Sequence, residues 1–274
     1  MKHHAANRSL CVLCLLTLLC IPLSVSADDI QQRALDVREQ HQDAVVTVEL
    51  VVRQHISMMG LGDDSEESRI ETSGVIVDNT GLTLVPLSAT DPLGMMAGLM
   101  GGMFGDEMQM RSEITDARIL IGSDTIPASI VLRDKDNDLA FLRPKESPDT
   151  PLPYVDMETS VQPGLLDTIV TLDRKGRVVN RVVAVVPLRI TAVQERPRRY
   201  YLAPSDAIGA PAFDLDGQFV GVFVTRTIDG QAGGAFSPLS MMSGIQDSVS
   251  IILMPADTIR EAAEQAPPVN DEAE

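Results

Sequence analysis

Residues 203–224, APSDAIGAPAFDLDGQFVGVFV, constrain the fold of this chain more than any other stretch. A turn around Gly209 leads into a short strand, Asp214-Leu215-Asp216-Gly217 turns the chain back, and Gln218–Val222 forms the return strand. A second hairpin is marked by Asn79-Thr80-Gly81 between strands at 71–78 and 82–86. Further strands are predicted at 44–53, 116–121, 125–133, 138–143, 167–172, 178–190, 199–204, 211–215 and 218–226. Many short strands divided by turn signals predict an all-β pair of barrels. Helix is expected only at the ends. Residues 28–43 form a polar helix with Leu35 and Val37 as its apolar contacts, and residues 255–265, PADTIREAAEQ, form a short one that Pro255 can begin. Between the first two strands, Gln54–Arg69 carries two glycines and an acidic run, and is expected to be a loop.

These hairpins resemble the protease domain of the HtrA/Deg-like branch of the trypsin-like serine proteases. In that family a Gly-x-Ser-Gly-Gly turn presents the catalytic serine just before such a strand–turn–strand. Here Gly209 keeps one glycine, while Asp206, Ile208 and Ala210 stand at the first glycine, the serine and the last glycine. Residues 73–85, SGVIVDNTGLTLV, resemble the hairpin that leads into the catalytic histidine, and counting on from Gly81 sets that position on Ser88. Residues 117–142 resemble the strands before the catalytic aspartate and end in DNDLAFL, which sets that position on Asp138. The order matches the His, Asp, Ser order of chymotrypsin-type chains. The resemblance spans roughly residues 30–260. It implies a double six-stranded β-barrel with short N- and C-terminal helices, degenerate at the catalytic histidine and serine.

The histidine count bears on the triad independently. Beyond the N-terminal leader only His41 and His55 remain, and both precede the strand that a general base should follow. His41 lies in VREQHQDAV and reads as a solvated helix residue; His55 reads as the end of a strand. Ser88 and Ser205 are the hydroxyls nearest the expected site, and Lys135, Lys145 and Lys175 fall in no recognisable serine–lysine spacing.

Residues 1–27 have a basic start (Lys2, Arg8), an apolar run from Leu10 to Leu19, and small residues at Val25-Ser26-Ala27. They predict a Sec-type signal peptide cleaved after Ala27 and a periplasmic or secreted protein, with no stable membrane span once the leader is removed. A lipoprotein alternative through Cys20 meets Leu18-Leu19, a poor match to the small residue required there, and the apolar run is short for an uncleaved anchor. Cys11, Cys14 and Cys20 all lie in the leader, so the mature chain is expected to use no disulfide, cysteine nucleophile or thiolate metal site. The net charge of −17 disfavours nucleic acid and anionic lipid. The cluster Arg196-Pro197-Arg198-Arg199 reads as a charged loop tip or strand edge.

Residues 93–110, LGMMAGLMGGMFGDEMQM, stand apart. Methionine suits adaptable apolar surfaces, and Met95, Met96, Met100, Met103 and Phe104 are the candidate binding residues. A lid over the cleft, a partner contact and a thioether copper(I) site all remain open, although Met-x-x-Met spacing occurs only at Met100–Met103. No metal ligand is assigned and no cofactor is expected. Asp134-x-Asp136-x-Asp138 resembles the start of a calcium loop, but Leu139 and Lys145 stand where glycine and glutamate belong.

The expected organisation is a leader over 1–27, one protease-type domain over 28–265 split near 150–165, and a disordered acidic tail over 266–274, with no PDZ domain. Together with the leader pattern, the resemblance implies an exported, catalytically inactive protease homologue (a pseudoprotease) that works by binding peptide or protein, including related proteases or copies of itself. An active serine endopeptidase with a non-standard catalytic arrangement and a structural envelope protein remain as alternatives.

Overall fold

The computed structural model describes residues 27–58, 63–91, 108–227 and 249–268. Helix α1 (Ala27–His41) opens the described chain, followed by β1 (Val45–Met58), β2 (Asp63–Ile76), β3 (Thr83–Pro86) and the single turn α2 (Leu87–Thr90). Strands β4 (Met108–Ile121), β5 (Asp124–Asp134) and β6 (Leu139–Pro144) complete a closed antiparallel barrel in the order β1-β2-β3-β6-β5-β4.

The second unit contains β7 (Thr168–Arg174), β8 (Val183–Arg189), β9 (Ala192–Gln194), β10 (Tyr200–Leu202), β11 (Pro211–Phe213), β12 (Phe219–Thr227) and β13 (Val249–Pro255), and then helix α3 (Ala256–Ala263). Its order is β8-β7-β11-β12-β13-β10-β9. β8 and β9 are two halves of one bent segment. At the bend the Ile190 N–H bonds the Asp167 carbonyl at 3.0 Å and the Thr191 N–H bonds the Leu202 carbonyl at 2.7 Å, so the chain leaves β7 and joins β10. The order thus begins and ends on one stretch of chain, which curls the sheet around its own core. The two units together give the expected double-barrel architecture, one barrel closed and the second a curled seven-stranded sheet.

Strand alternation supplies three cores from two sheets. Inward residues of the first barrel (Val46, Val48, Leu50, Val52, Ala140, Leu142) fill its interior, while Ile169, Tyr201, Val220, Phe223 and Leu253 fill the second. Their neighbours on the opposite face build a third cluster from both units, including Val45, Leu84, Phe141, Phe213, Val222 and Ile252, closed by Val37 of α1 and Ile259 of α3. The strands contributing to this shared cluster are buried on both faces, as their near-continuous apolar runs require.

Several sequence expectations need correction. Residues 54–58 and 63–69 are strand, not loop: β1 pairs with β2 from Val45↔Val75 out to Ser57↔Asp63, and with β4 on its other edge. Paired backbone and cross-strand ion pairs such as Arg53–Glu67 (2.6 Å) let a polar sequence form strand in water. The expected strand at 178–190 begins only at Val183. Residues Arg177–Val179 make a 3-10 turn, with Asn180 and Arg181 left-handed (φ 56° and 52°), in the loop that closes the β7–β8 hairpin, where short-range bonds such as Asn180 N–H to the Arg177 carbonyl at 3.0 Å replace the strand ladder. β9 and β13 were not anticipated. In α1 the buried apolar residues are Ala34 and Val37, one turn apart, while Leu35 points out and is 51% exposed.

His41 is buried rather than solvated. It shares the inner face of α1, stacks on Phe213 (4.2 Å between centroids, 8° between planes), and its Nε2 lies 2.8 Å from the Gly217 carbonyl. The helix thereby clamps the β11–β12 hairpin. Arg174 makes a second tie, donating to the carbonyls of Val45, Gln42 (2.9 Å) and Arg181 (3.1 Å).

Two predictions follow from this packing. Burial holds the His41 imidazole below its ordinary pKa of about 6.5, against the opposing effect of its bond to Gly217. The unfolded chain therefore takes up a proton that the folded chain resists. Stability is full above about pH 6.5 and falls as pH drops below it toward the folded value. Urea midpoints measured across this range fall with pH, and His41→Gln removes that part of the slope. Gly221 (φ 156°) pairs with Pro255 where β12 runs beside β13, and a Cβ there would sit 1.8 Å from the Met254 carbonyl oxygen. Gly221→Ala costs roughly 2–4 kcal/mol, read as a thermal midpoint lowered by about 5–15 °C.

Candidate functional site

Asp138 ends the turn between β5 and β6, and the turn is built by Asp134. One Asp134 oxygen accepts from the Asp136 and Asn137 N–H groups at 3.0 and 3.1 Å, and the other from the Asn137 amide at 2.6 Å. Asp134 is thus a turn residue, and Asp138 itself takes a left-handed φ of 56°. Its carbonyl accepts from the Leu87 N–H at 3.0 Å, which fixes the start of α2.

The Asp138 carboxylate is the centre of the site. Oδ1 accepts from the Ser88 N–H at 2.6 Å, and Oδ2 accepts from the Ser88 hydroxyl and from the Thr225 N–H, both at 2.8 Å. Ser88 belongs to α2 of the first barrel and Thr225 to β12 of the second, so one carboxylate joins the two units. Burial raises its pKa, and the three bonds oppose that rise without cancelling it.

The turn before β11 is held by its own short-range bonds. The Ser205 hydroxyl accepts from the Ala207 N–H at 3.1 Å, the Ile208 N–H bonds the Asp206 carbonyl at 3.1 Å, and the Ala210 N–H bonds the Ala207 carbonyl at 3.2 Å. Gly209 has φ 86°, and a Cβ at that residue would meet the Ser73 carbonyl oxygen at 2.4 Å and Pro86 Cδ at 3.1 Å. Only glycine lets the turn press this closely on β2 and on the residue leading into α2. Ile208 stands at the surface of the turn, 37% exposed.

Between the barrels lies a cleft of about 900 Å³ whose lining includes Ser88, Asp138, Lys135, Arg198, Thr225 and Arg226. An adjoining recess of about 390 Å³ shares Arg198 and Arg226 with it and adds Tyr200. The Arg196–Arg199 segment therefore does more than guard an edge: Arg198 lines the cleft and bonds the Asn137 side chain at 2.9 Å.

Chemically, the arrangement brings together a carboxylate and a hydroxyl that donates to it. An isoleucine side chain offers no nucleophile, and the Ile208 N–H is turned to Asp206 rather than outward. Lys135 lines the same cleft as Ser88, but the hydroxyl's partner is Asp138. Lys145 and Lys175 pair elsewhere, with Asp116 at 3.9 Å and with Asp173. His41 is committed to Phe213 and Gly217. His55 sits inside β1 rather than at its end, paired in register with Ser65 and Arg111.

Met95, Met96, Met100, Met103 and Phe104 lie outside the described residues, as does the leader up to residue 26. Among the described residues no group of three or more His, Cys, Asp or Glu side chains could hold a metal ion, and no helix is long and apolar enough to cross a membrane. Sequence reasoning missed Thr225 and Arg226. Thr225 acts through its backbone, 87 positions from Asp138, and so leaves no side-chain signal.

No protein-family model matches the chain, and no curated protein does. Among solved structures, the apo MamO protease domain from Magnetospirillum magneticum is similar at 14% identity and a TM-score of 0.48, covering 81% of this chain and 96% of that one.

Removing parts of the Asp138 network has graded costs. Ser88→Ala deletes one bond to a buried carboxylate and costs about 1–2 kcal/mol. Asp138→Ala strands the Ser88 and Thr225 N–H groups together and costs about 2–4 kcal/mol. Chemical denaturation of both variants at pH 7 checks the order.

Proposed function

We propose that this chain is an exported, catalytically inactive serine-protease homologue that acts by binding peptide or protein in the cleft between its barrels. The observation that carries the reading is the Asp138 carboxylate, whose donors are the Ser88 hydroxyl and two backbone N–H groups, with no imidazole among them. Ser88, Asp138 and Ile208 stand at the positions that the sequence resemblance gives to the histidine, the aspartate and the serine. A serine protease needs a nucleophile, a base to take its proton and outward N–H donors for the oxyanion. Ile208 cannot supply the first, Ser88 is no imidazole, and the Ile208 N–H bonds Asp206.

The fold survives these replacements because the site's scaffolding uses backbone groups and a small donor, neither of which requires catalytic chemistry. A cleft of about 900 Å³ remains, large enough for several side chains of an extended segment. Export to the periplasm or beyond, with cleavage after Ala27, rests on the leader pattern over residues 1–27. The methionine-rich segment with Met95, Met96, Met100, Met103 and Phe104 is assigned to the same binding role, on composition alone. Related proteases and further copies of this chain are among the partners this reading admits.

Long incubation of the mature protein with unfolded casein and a fluorophosphonate probe tests the reading. Neither cleavage nor labelling is expected. Cleavage and labelling that both vanish in Ser88→Ala or Ser205→Ala would establish an active hydrolase instead.

A further inference from the structure

We infer that the cleft selects acidic polypeptide segments, those carrying Asp or Glu beside an apolar side chain. The inference rests on the binding role proposed above and names its ligand class. It comes from how the charges of the cleft are already spent. Its carboxylates are engaged: Asp138 by three donors, Asp136 by Arg198 at 3.6 Å, and Asp91 by the Ser112 hydroxyl. Two of its three cations are not. Arg226 lies over the Tyr200 ring at 5.6 Å and has no anionic partner among the described residues, and neither has Lys135. Arg198 is already shared between the Asn137 side chain at 2.9 Å and an Asp136 carboxylate that is 79% exposed.

This is an unusual place on a chain of net charge −17. Beyond a Debye length of about 10 Å the acidic surface is screened, so the cleft's own charges govern what enters it: Asp138 is enclosed by its three donors and Asp136 is paired with Arg198, which leaves Lys135 and Arg226 as the cations open to a ligand. Glu261 of α3 adds a further carboxylate at the adjoining recess. The apolar part of the lining is Leu87, Pro197, Val224, Ile252 and Met254, beside the polar Ser88, Asn137 and Thr225. Cations over an apolar floor fit a carboxylate next to an aliphatic residue. A long nucleic acid would have to cross the acidic surface on either side. A guanidinium stacked on an aromatic ring keeps its edge free for a bidentate carboxylate, which gives Arg226 the orienting role and Lys135 a point-charge role.

Fluorescence anisotropy with the full mature chain tests this, using three labelled octapeptides of identical apolar content whose polar positions are Glu, Gln or Lys. The Glu peptide is expected to bind saturably, about tenfold tighter than the Gln peptide, and to weaken with salt. Arg226→Gln combined with Lys135→Gln removes that preference and leaves the thermal midpoint unchanged, whereas Arg53→Gln, a pair-forming surface arginine of β1, leaves binding unchanged. Equal affinity for the Glu and Gln peptides, or an equal loss in Arg53→Gln, overturns the acidic preference and leaves peptide binding standing. An oligonucleotide of matched charge that binds as tightly makes the cleft a general anion site and overturns the peptide assignment. If none of the three peptides binds, both the preference and the cleft's binding role fall, independently of the casein result.

Discussion

A carboxylate buried between two β-barrels has to be satisfied from both sides, and Asp138 shows what that requires. An ionised group removed from water costs several kcal/mol unless donors replace its hydration. Here two of the donors are the backbone and hydroxyl of Ser88 on the first barrel, and the third is the Thr225 N–H on the second. Each barrel thus supplies part of the solvation, and the carboxylate fixes the barrels' relative placement where the shared apolar cluster of Leu84, Phe141, Phe213, Val222 and Ile252 gives attraction but little direction. What the position before Asp138's partner loop must provide is a donor. A serine does that in less space than an imidazole.

The same separation of shape from chemistry holds at the turn of 205–210. Gly209 is required because the chain presses on the Ser73 carbonyl and on Pro86, a packing demand that involves no reacting group. Ile208, beside it, is 37% exposed and its N–H bonds the Asp206 carbonyl. The turn therefore keeps its path with an inert side chain at its tip. The cleft between the barrels is lined by other segments, with Lys135, Arg198 and Arg226 as its cations.

How much of this was legible in the sequence depended on whether the signal was local. The two Asp-x-x-Gly turns were, because in each the aspartate oxygen caps N–H groups two and four residues on: Thr80 and Leu82 by Asp78, Asp216 and Gln218 by Asp214. The polar ribbon of β1, β2 and β4 was not, because its strand character comes from partners paired across three chain segments and not from apolar alternation. His41 looked solvated because its neighbours in sequence are polar; its helical face, shared with Ala34 and Val37, meets Phe213 only after the chain has crossed both barrels.

By itself the sequence determined the all-β character, the hairpin turns, the lack of a serine at 208 and the scarcity of histidine, since each is a property of residues in place or a few positions apart. The tertiary structure alone decided that Ser88, Asp138 and Thr225 share one network, that β8 and β9 bend to close the second sheet, and that arginines from distant segments line one cleft. The physical reason is sequence separation. A capped turn is closed by its own few residues, whereas a bond across 87 positions, or a cation left without a partner, exists only once packing has chosen which segments meet.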